Sequence, residues 1–135
     1  MANQLKHILM ADDDLEDIEL MESAIASIEP GASIHKVVNG KAVIDYLKRQ
    51  SDHQLPCLII LDYNMPELTG SEVLAVICKE KRYEGIPKII LSTSSTPAYI
   101  NECMKNGATE YFVKPDNMRA LEAMAKKLLN YCNIN

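Results

Sequence analysis

Acidic side chains bunch at Asp12, Asp13 and Asp14, and one more, Asp62, ends the apolar run Cys57-Leu58-Ile59-Ile60-Leu61. A carboxylate that closes a wholly apolar run loses hydration unless something uses its charge. Like charges about 4 Å apart repel by roughly 4 kcal/mol at an effective dielectric near 20, so acids that converge need a cation. Oxygen donors, few in number and leaving room for water and a phosphate, suit Mg²⁺ better than a closed Ca²⁺ cage. No His or Cys stands near enough in the sequence to favour zinc. Lys114 offers a point charge and Ser92 a hydroxyl for one anionic group. Metal, lysine and an in-line nucleophile are the parts that phosphoryl transfer needs, and Asp62 is best placed to attack through a carboxylate oxygen, giving an acyl phosphate. Taken singly these residues carry little. An Asp triplet is most often a helix cap, Lys114 a surface lysine, Ser92 to Ser95 a capping turn, and Tyr111 a half-buried strand aromatic. The conjunction carries the reading.

The elements that must position them alternate. Apolar, β-type runs at His7 to Ala11, Ser33 to Val38, Cys57 to Leu61, Lys88 to Leu91 and Glu110 to Val113 are each followed by a segment of helical period. The third and fourth runs are apolar almost throughout, as in inner strands of a parallel sheet covered by helices on both faces. Ile18, Met21, Ile25 and Ile28 mark the first helix, with Asp14 as N-cap, Glu16 and Asp17 complementing the dipole, and Pro30-Gly31 as its stop. Asn39 starts a second helix on Val43, Tyr46 and Leu47, and a third follows Gly70 on Val73, Leu74 and Ile77. The fourth opens with Thr96 as cap and Pro97 at the first helical position and stops at Asn106-Gly107, and the fifth carries Met118, Leu121, Ala125, Leu128 and Cys132.

Strands joined by helical crossovers run parallel with right-handed connections. Five such units in 135 residues are too few for an eight-unit barrel. The expectation is one α/β domain over residues 1–135, its core about 5–130: a doubly wound, flavodoxin-like (βα)5 parallel sheet of strand order 2-1-3-4-5. In that order strands one and three are neighbours, so Asp12 to Asp14 and Asp62 meet outside the carboxyl ends of the strands, where such folds bind ligands.

Charge and composition exclude several classes. Fourteen Lys+Arg against 19 Asp+Glu leave a formal charge of −5, which repels nucleic-acid phosphates and anionic membrane surfaces on average. No apolar run spans a bilayer and no basic-then-apolar leader pattern opens the chain, so the expected location is the cytoplasm. Cys57, Cys78, Cys103 and Cys132 form no C-x-x-C pair and read as buried reduced thiols. The seven methionines read as core filler, and His7, His35 and His53 are assigned no role.

The segments ILMADDD, LIILDYNMP followed by Gly70, IPKIILSTS and YFVKP, in that order, resemble the receiver domain of two-component response regulators, from about Leu5 to Asn130. The resemblance implies that Asp13 ligates Mg²⁺ directly and Asp12 largely through water. It makes Asp62 the phosphoacceptor, the backbone carbonyl of Asn64 a third metal ligand, Lys114 the phosphoryl-binding lysine, and Ser92 with Tyr111 the switch pair. It also implies a cis bond before Pro115. The donor would be a sensor histidine kinase or phosphotransfer protein, and the output face the fourth helix, fifth strand and fifth helix. With no effector domain after Asn135, output is expected through an unidentified downstream protein, with association of two copies left open. Thr93 stands where the family usually has a smaller residue, which narrows access to the phosphoryl group. The acid-rich start, DDDLEDIELMESAI, resembles single-domain regulators that partner phytochrome-type kinases.

Three other classes compete. A haloacid dehalogenase-type phosphatase needs a second acid where this chain has Asn64, and more length. A flavin or nucleotide carrier needs a Gly/Ser/Thr-rich loop after the first strand, where three aspartates would repel phosphate. A receiver fold used only as a binding module stays open on sequence, weakened because no catalytic position is lost here.

Overall fold

A computed structural model describes residues 6–132; Leu5, where the sequence reading starts the domain core, lies outside them. Five strands alternate with five helices: β1 (His7–Ala11), α1 (Leu15–Ile28), β2 (Ser33–Val37), α2 (Gly40–Arg49), β3 (Leu58–Leu61), α3 (Gly70–Ile77), β4 (Lys88–Ser92), α4 (Pro97–Lys105), β5 (Glu110–Val113) and α5 (Met118–Asn130). Single 3₁₀ turns at Asp52–Gln54 and Lys81–Tyr83 interrupt the loops before β3 and β4. All strand pairs are parallel and the order is β2-β1-β3-β4-β5, the flavodoxin-like arrangement expected.

Every residue of β3 and β4 is buried, whereas the edge strands β2 and β5 are half covered. Side chains alternate across the sheet. Leu9, Ala11, Ile59, Leu61 and Ile90 pack under α2, α3 and α4 through Leu47, Leu74, Ile77 and Cys103. Ile8, Met10, Leu58, Ile60, Ile89 and Leu91 pack under α1 and α5 through Ile18, Met21, Ile25, Leu128 and Leu129. Continuous apolar strands thus feed two cores at once, which is why the sheet has helices on both sides. No helix among the described residues is long and apolar enough to cross a membrane.

Helix starts follow local chemistry. Asp14, Asn39 and Asn117 accept backbone N–H groups at the first turns of α1, α2 and α5. Thr69 and Glu72 form a reciprocal capping box that places Gly70 at the first position of α3. Thr96 precedes α4 as expected, yet its side chain caps no N–H; instead it accepts a hydrogen bond from the Ser94 hydroxyl at 2.9 Å.

Two expectations are corrected. Cys57 and Cys132 are disulfide-bonded, with Cα atoms 5.2 Å apart, because the entry to β3 and the end of α5 meet at the amino edge of the sheet. Cys103 is a buried thiol as expected, and Cys78 is an exposed one. The bond before Pro115 is trans, as are all described peptide bonds; trans is the favoured isomer even before proline, and from it Lys114 reaches the acids of the site.

Candidate functional site

Backbone pairing carries the two inner acids to the same height. The Asp62 N–H donates to the Ala11 carbonyl at 3.0 Å and the Asp12 N–H to that of Val37 at 3.1 Å, extending the β3–β1 and β1–β2 ladders by one step. The Lys114 N–H donates to the Ser92 carbonyl at 2.7 Å, which sets the lysine beyond the β4–β5 pair in the same way. Asp12 is 1% exposed and Asp62 7%, while Asp13 stands in solvent at the rim. Carboxylate oxygens of Asp12, Asp13 and Asp62 all lie within 4.8 Å of one another. Asp14 is absent from this cluster because its carboxylate is committed to capping α1, accepting from the Glu16 N–H at 3.0 Å.

The Lys114 ammonium sits among three carboxylates, 2.6 Å from Asp12 Oδ2, 2.8 Å from Asp17 Oδ2 and 3.4 Å from Asp62 Oδ2. Its stem lines a small cleft with Met10, Leu20, Met21, Leu91, Pro115 and Leu121. Burial draws the lysine's pKa down, but the close carboxylates of Asp12 and Asp17 and the charge of Asp62 outweigh it, and the net shift is upward. Asp62 moves up too, to about 6, through burial first and the charge of Asp12 second, with Lys114 opposing. One ammonium therefore does not neutralise the site.

Asp12 Oδ2 adds a second sign of unmet charge. It is buried without a well-aligned hydrogen bond, so its 2.6 Å approach to Lys114 is coulombic contact rather than a donated N–H. An orphaned carboxylate oxygen, two neighbouring carboxylates and, among the described residues, no His or Cys in the cluster fit a hard divalent cation such as Mg²⁺. Asn64, two residues beyond Asp62, lies exposed in the loop that leads to α3.

The expected switch pair lies on β4 and β5, the strands whose ends lead to this edge. Ser92 is fully buried at the end of β4, and its Oγ accepts from the Ser94 N–H at 3.2 Å. The Tyr111 hydroxyl donates to the Ser94 carbonyl at 2.6 Å, so both side chains grip the same loop. Thr93 is exposed at its crest.

Sequence reasoning missed two participants. Asp17 reads from the sequence only as a complement to the helix dipole, although it lies four residues before buried Met21 and beside buried Ile18, a spacing that turns it inward. Tyr63 follows Asp62, stacks on Tyr99 of α4 with ring centroids 4.3 Å apart, and donates its hydroxyl to Glu102 at 3.0 Å. The loop carrying Asp62 is thereby tied to α4.

Comparison with known proteins gives a consistent result. Residues 8–126 match the response regulator receiver domain. The two-component response regulator ARR17 of Arabidopsis thaliana is 30% identical over 132 residues, covering 92% of this chain and 85% of that protein. Several other curated relatives are longer, and the chain spans 59% of ARR9 from the same plant. Among solved structures, the phosphorylated cyanobacterial phytochrome response regulator RcpA superposes with a TM-score of 0.85 at 28% identity, covering 95% of this chain and 94% of that one. A response regulator receiver domain from Rhodospirillum rubrum gives a TM-score of 0.81 at 25% identity, covering 96% and 95%.

Proposed function

The chain belongs to the response regulator receiver domain family of two-component signalling, and we propose that Asp62 accepts a phosphoryl group from the phosphohistidine of a sensor kinase or phosphotransfer protein. The observation that carries this reading is the placement of Asp62 beside Asp12 and within 3.4 Å of the Lys114 ammonium, on a rim open to a donor through Asp13. An Asp62 carboxylate oxygen attacks phosphorus in line, the new P–O bond forms as the P–N bond breaks, and the imidazole leaves with its electron pair. Asp12, Asp13, Asp62 and the Asn64 carbonyl would hold Mg²⁺. When bound, the ion neutralises charge on the phosphoryl oxygens.

Lys114 receives one phosphoryl oxygen and the Ser92 hydroxyl donates to another. Drawing Ser92 inward pulls on the Ser94 segment, which Tyr111 also holds, and so biases the packing of α4, β5 and α5. That face then presents a different surface to a downstream protein, or to a second copy of the chain. Residues 1–135 serve as a single receiver domain that switches rather than turns over a substrate. The likeness to RcpA favours a phytochrome-type histidine kinase as donor.

Incubation with Mg²⁺ and acetyl phosphate is expected to add one phosphoryl group by intact mass, and Asp62→Asn to abolish it. Asp13→Ala should lose metal affinity, whereas Lys114→Ala should keep metal and lose the switch in α4–β5–α5 amide signals. A wild-type protein that binds Mg²⁺ yet stays unmodified would return the domain to a binding module.

A further inference from the structure

The Lys114 ammonium has three N–H groups and faces three carboxylates, of which Asp17 is the one outside the cation cluster. We propose that Asp17 is a positioning residue: it tethers Lys114 across both states of the switch, so that the lysine's remaining protons point to the phosphoryl position. The inference rests on the reading of Asp62 as phosphoacceptor and assigns a fourth acid of the site a role distinct from metal binding.

Asp12 and Asp62 are shared between lysine and cation. When their oxygens turn to a divalent ion, Lys114 loses two of its three partners, and an ammonium on a flexible four-carbon stem gains rotational freedom. Asp17 cannot be recruited in the same way. It belongs to the first turn of α1, whose inward residues Ile18 and Met21 are fully buried. The contact at 2.8 Å thus persists. The surroundings strengthen it: the Lys114 side chain is 12% exposed, that of Asp17 33%, and the cleft they share is walled by Met10, Leu20, Met21 and Leu91. In such apolar surroundings a paired, hydrogen-bonded ammonium is held firmly, whereas an unpaired one is costly. Glu16, the preceding acid, lies exposed and pairs with no lysine among the described contacts, so helix-dipole complementarity and lysine tethering can be separated by substitution.

The test titrates Mg²⁺ alone, then beryllofluoride in saturating Mg²⁺ as a tetrahedral phosphoryl mimic, by calorimetry. Loss of a charge-assisted hydrogen bond that orients the lysine predicts about tenfold weaker beryllofluoride binding in Asp17→Ala. Its Mg²⁺ affinity should stay within about twofold of wild type, which also reports a folded site. Asp17→Asn keeps an acceptor oxygen and should lie within about threefold of wild type, and Glu16→Ala should match wild type. Equal or tighter binding by Asp17→Ala would make Asp17 a competitor and overturn the tether. So would equal losses in Asp17→Ala and Asp17→Asn, or in Glu16→Ala, since charge alone would then explain them. A wild-type protein that takes Mg²⁺ but no beryllofluoride would instead bring down the phosphoacceptor reading itself.

Discussion

At the scale of single residues, Asp62 holds a conflict that the fold imposes without relieving. Its carboxylate is buried beside Asp12, and both facts raise its pKa, to about 6 from 3.8, with Lys114 compensating only in part. In the metal-free protein at neutral pH the ionised group therefore opposes folding. Asp62→Asn is expected to stabilise the metal-free protein by about 1–2 kcal/mol at pH 7.5, a discounted value for a shift of this size in a pair that shares a lysine. The pH dependence has a definite sign. Between the unfolded and folded pKa values the native state retains a proton that the unfolded chain has released, so wild-type stability gains as pH falls through 6 toward 4. The variant lacks that gain, so its advantage should shrink at pH 5, and Mg²⁺ should shrink it at pH 7.5. Urea denaturation with chelator and with Mg²⁺ measures all three; a variant less stable than wild type at pH 7.5 in chelator would show that Lys114 already neutralises the site.

At the scale of elements, the turn from β3 into α3 places Asp62. Gly70 donates its N–H to the Tyr63 carbonyl at 2.8 Å, and a Cβ at this position would run into the Asp62 carbonyl oxygen. Glycine is required by that close approach. Gly70→Ala must push the turn off the Asp62 backbone and should cost about 1–3 kcal/mol, as overpacking does, together with metal affinity. Gly85→Ala, whose added carbon meets nothing within 4 Å, should be neutral; thermal melts and Mg²⁺ titration of both compare the two, and a neutral Gly70→Ala would show that the turn yields. The sequence made much of this legible because apolar runs and caps are local signals. Leu58 to Leu61 reads as an inner strand wherever the sheet places it, and Asp14 or Asn39 caps whatever helix follows. Strand order then brought Asp12, Asp62 and Lys114 together, as inferred. Asp17 escaped because an acid in the first turn of a helix already has a sufficient local explanation, and its second role depends on a lysine 97 residues away. Tyr63 escaped for a similar reason: its partners Tyr99 and Glu102 belong to the helix of the next strand–helix unit.

At the scale of the whole molecule, the Cys57–Cys132 bond closes a loop with a sequence separation of 75 residues, a pairing that no spacing rule in the sequence announces. It ties the amino end of β3 to the turn that follows α5, whereas Asp62 leaves the carboxyl end of the same strand. Four strand residues at about 3.3 Å each separate the tie from the site. The bond should therefore govern global stability while leaving the acid cluster alone. Restricting so long a loop in the unfolded chain predicts a loss of about 2–4 kcal/mol on reduction, and the same loss in Cys57→Ser without reductant. Cys78→Ser, which removes an exposed thiol, should keep its full response to reductant. Mg²⁺ affinity should stay within about twofold in the reduced protein, because the carboxylates proposed to hold the metal and their backbone ladders lie at the opposite edge of the sheet. Thiol titration of the denatured, unreduced chain should find two reactive groups, Cys78 and Cys103. Four would mean that the thiols stand reduced side by side and that α5 is held by packing of Ala125, Leu128 and Leu129 alone, in which case reductant should change neither stability nor metal binding.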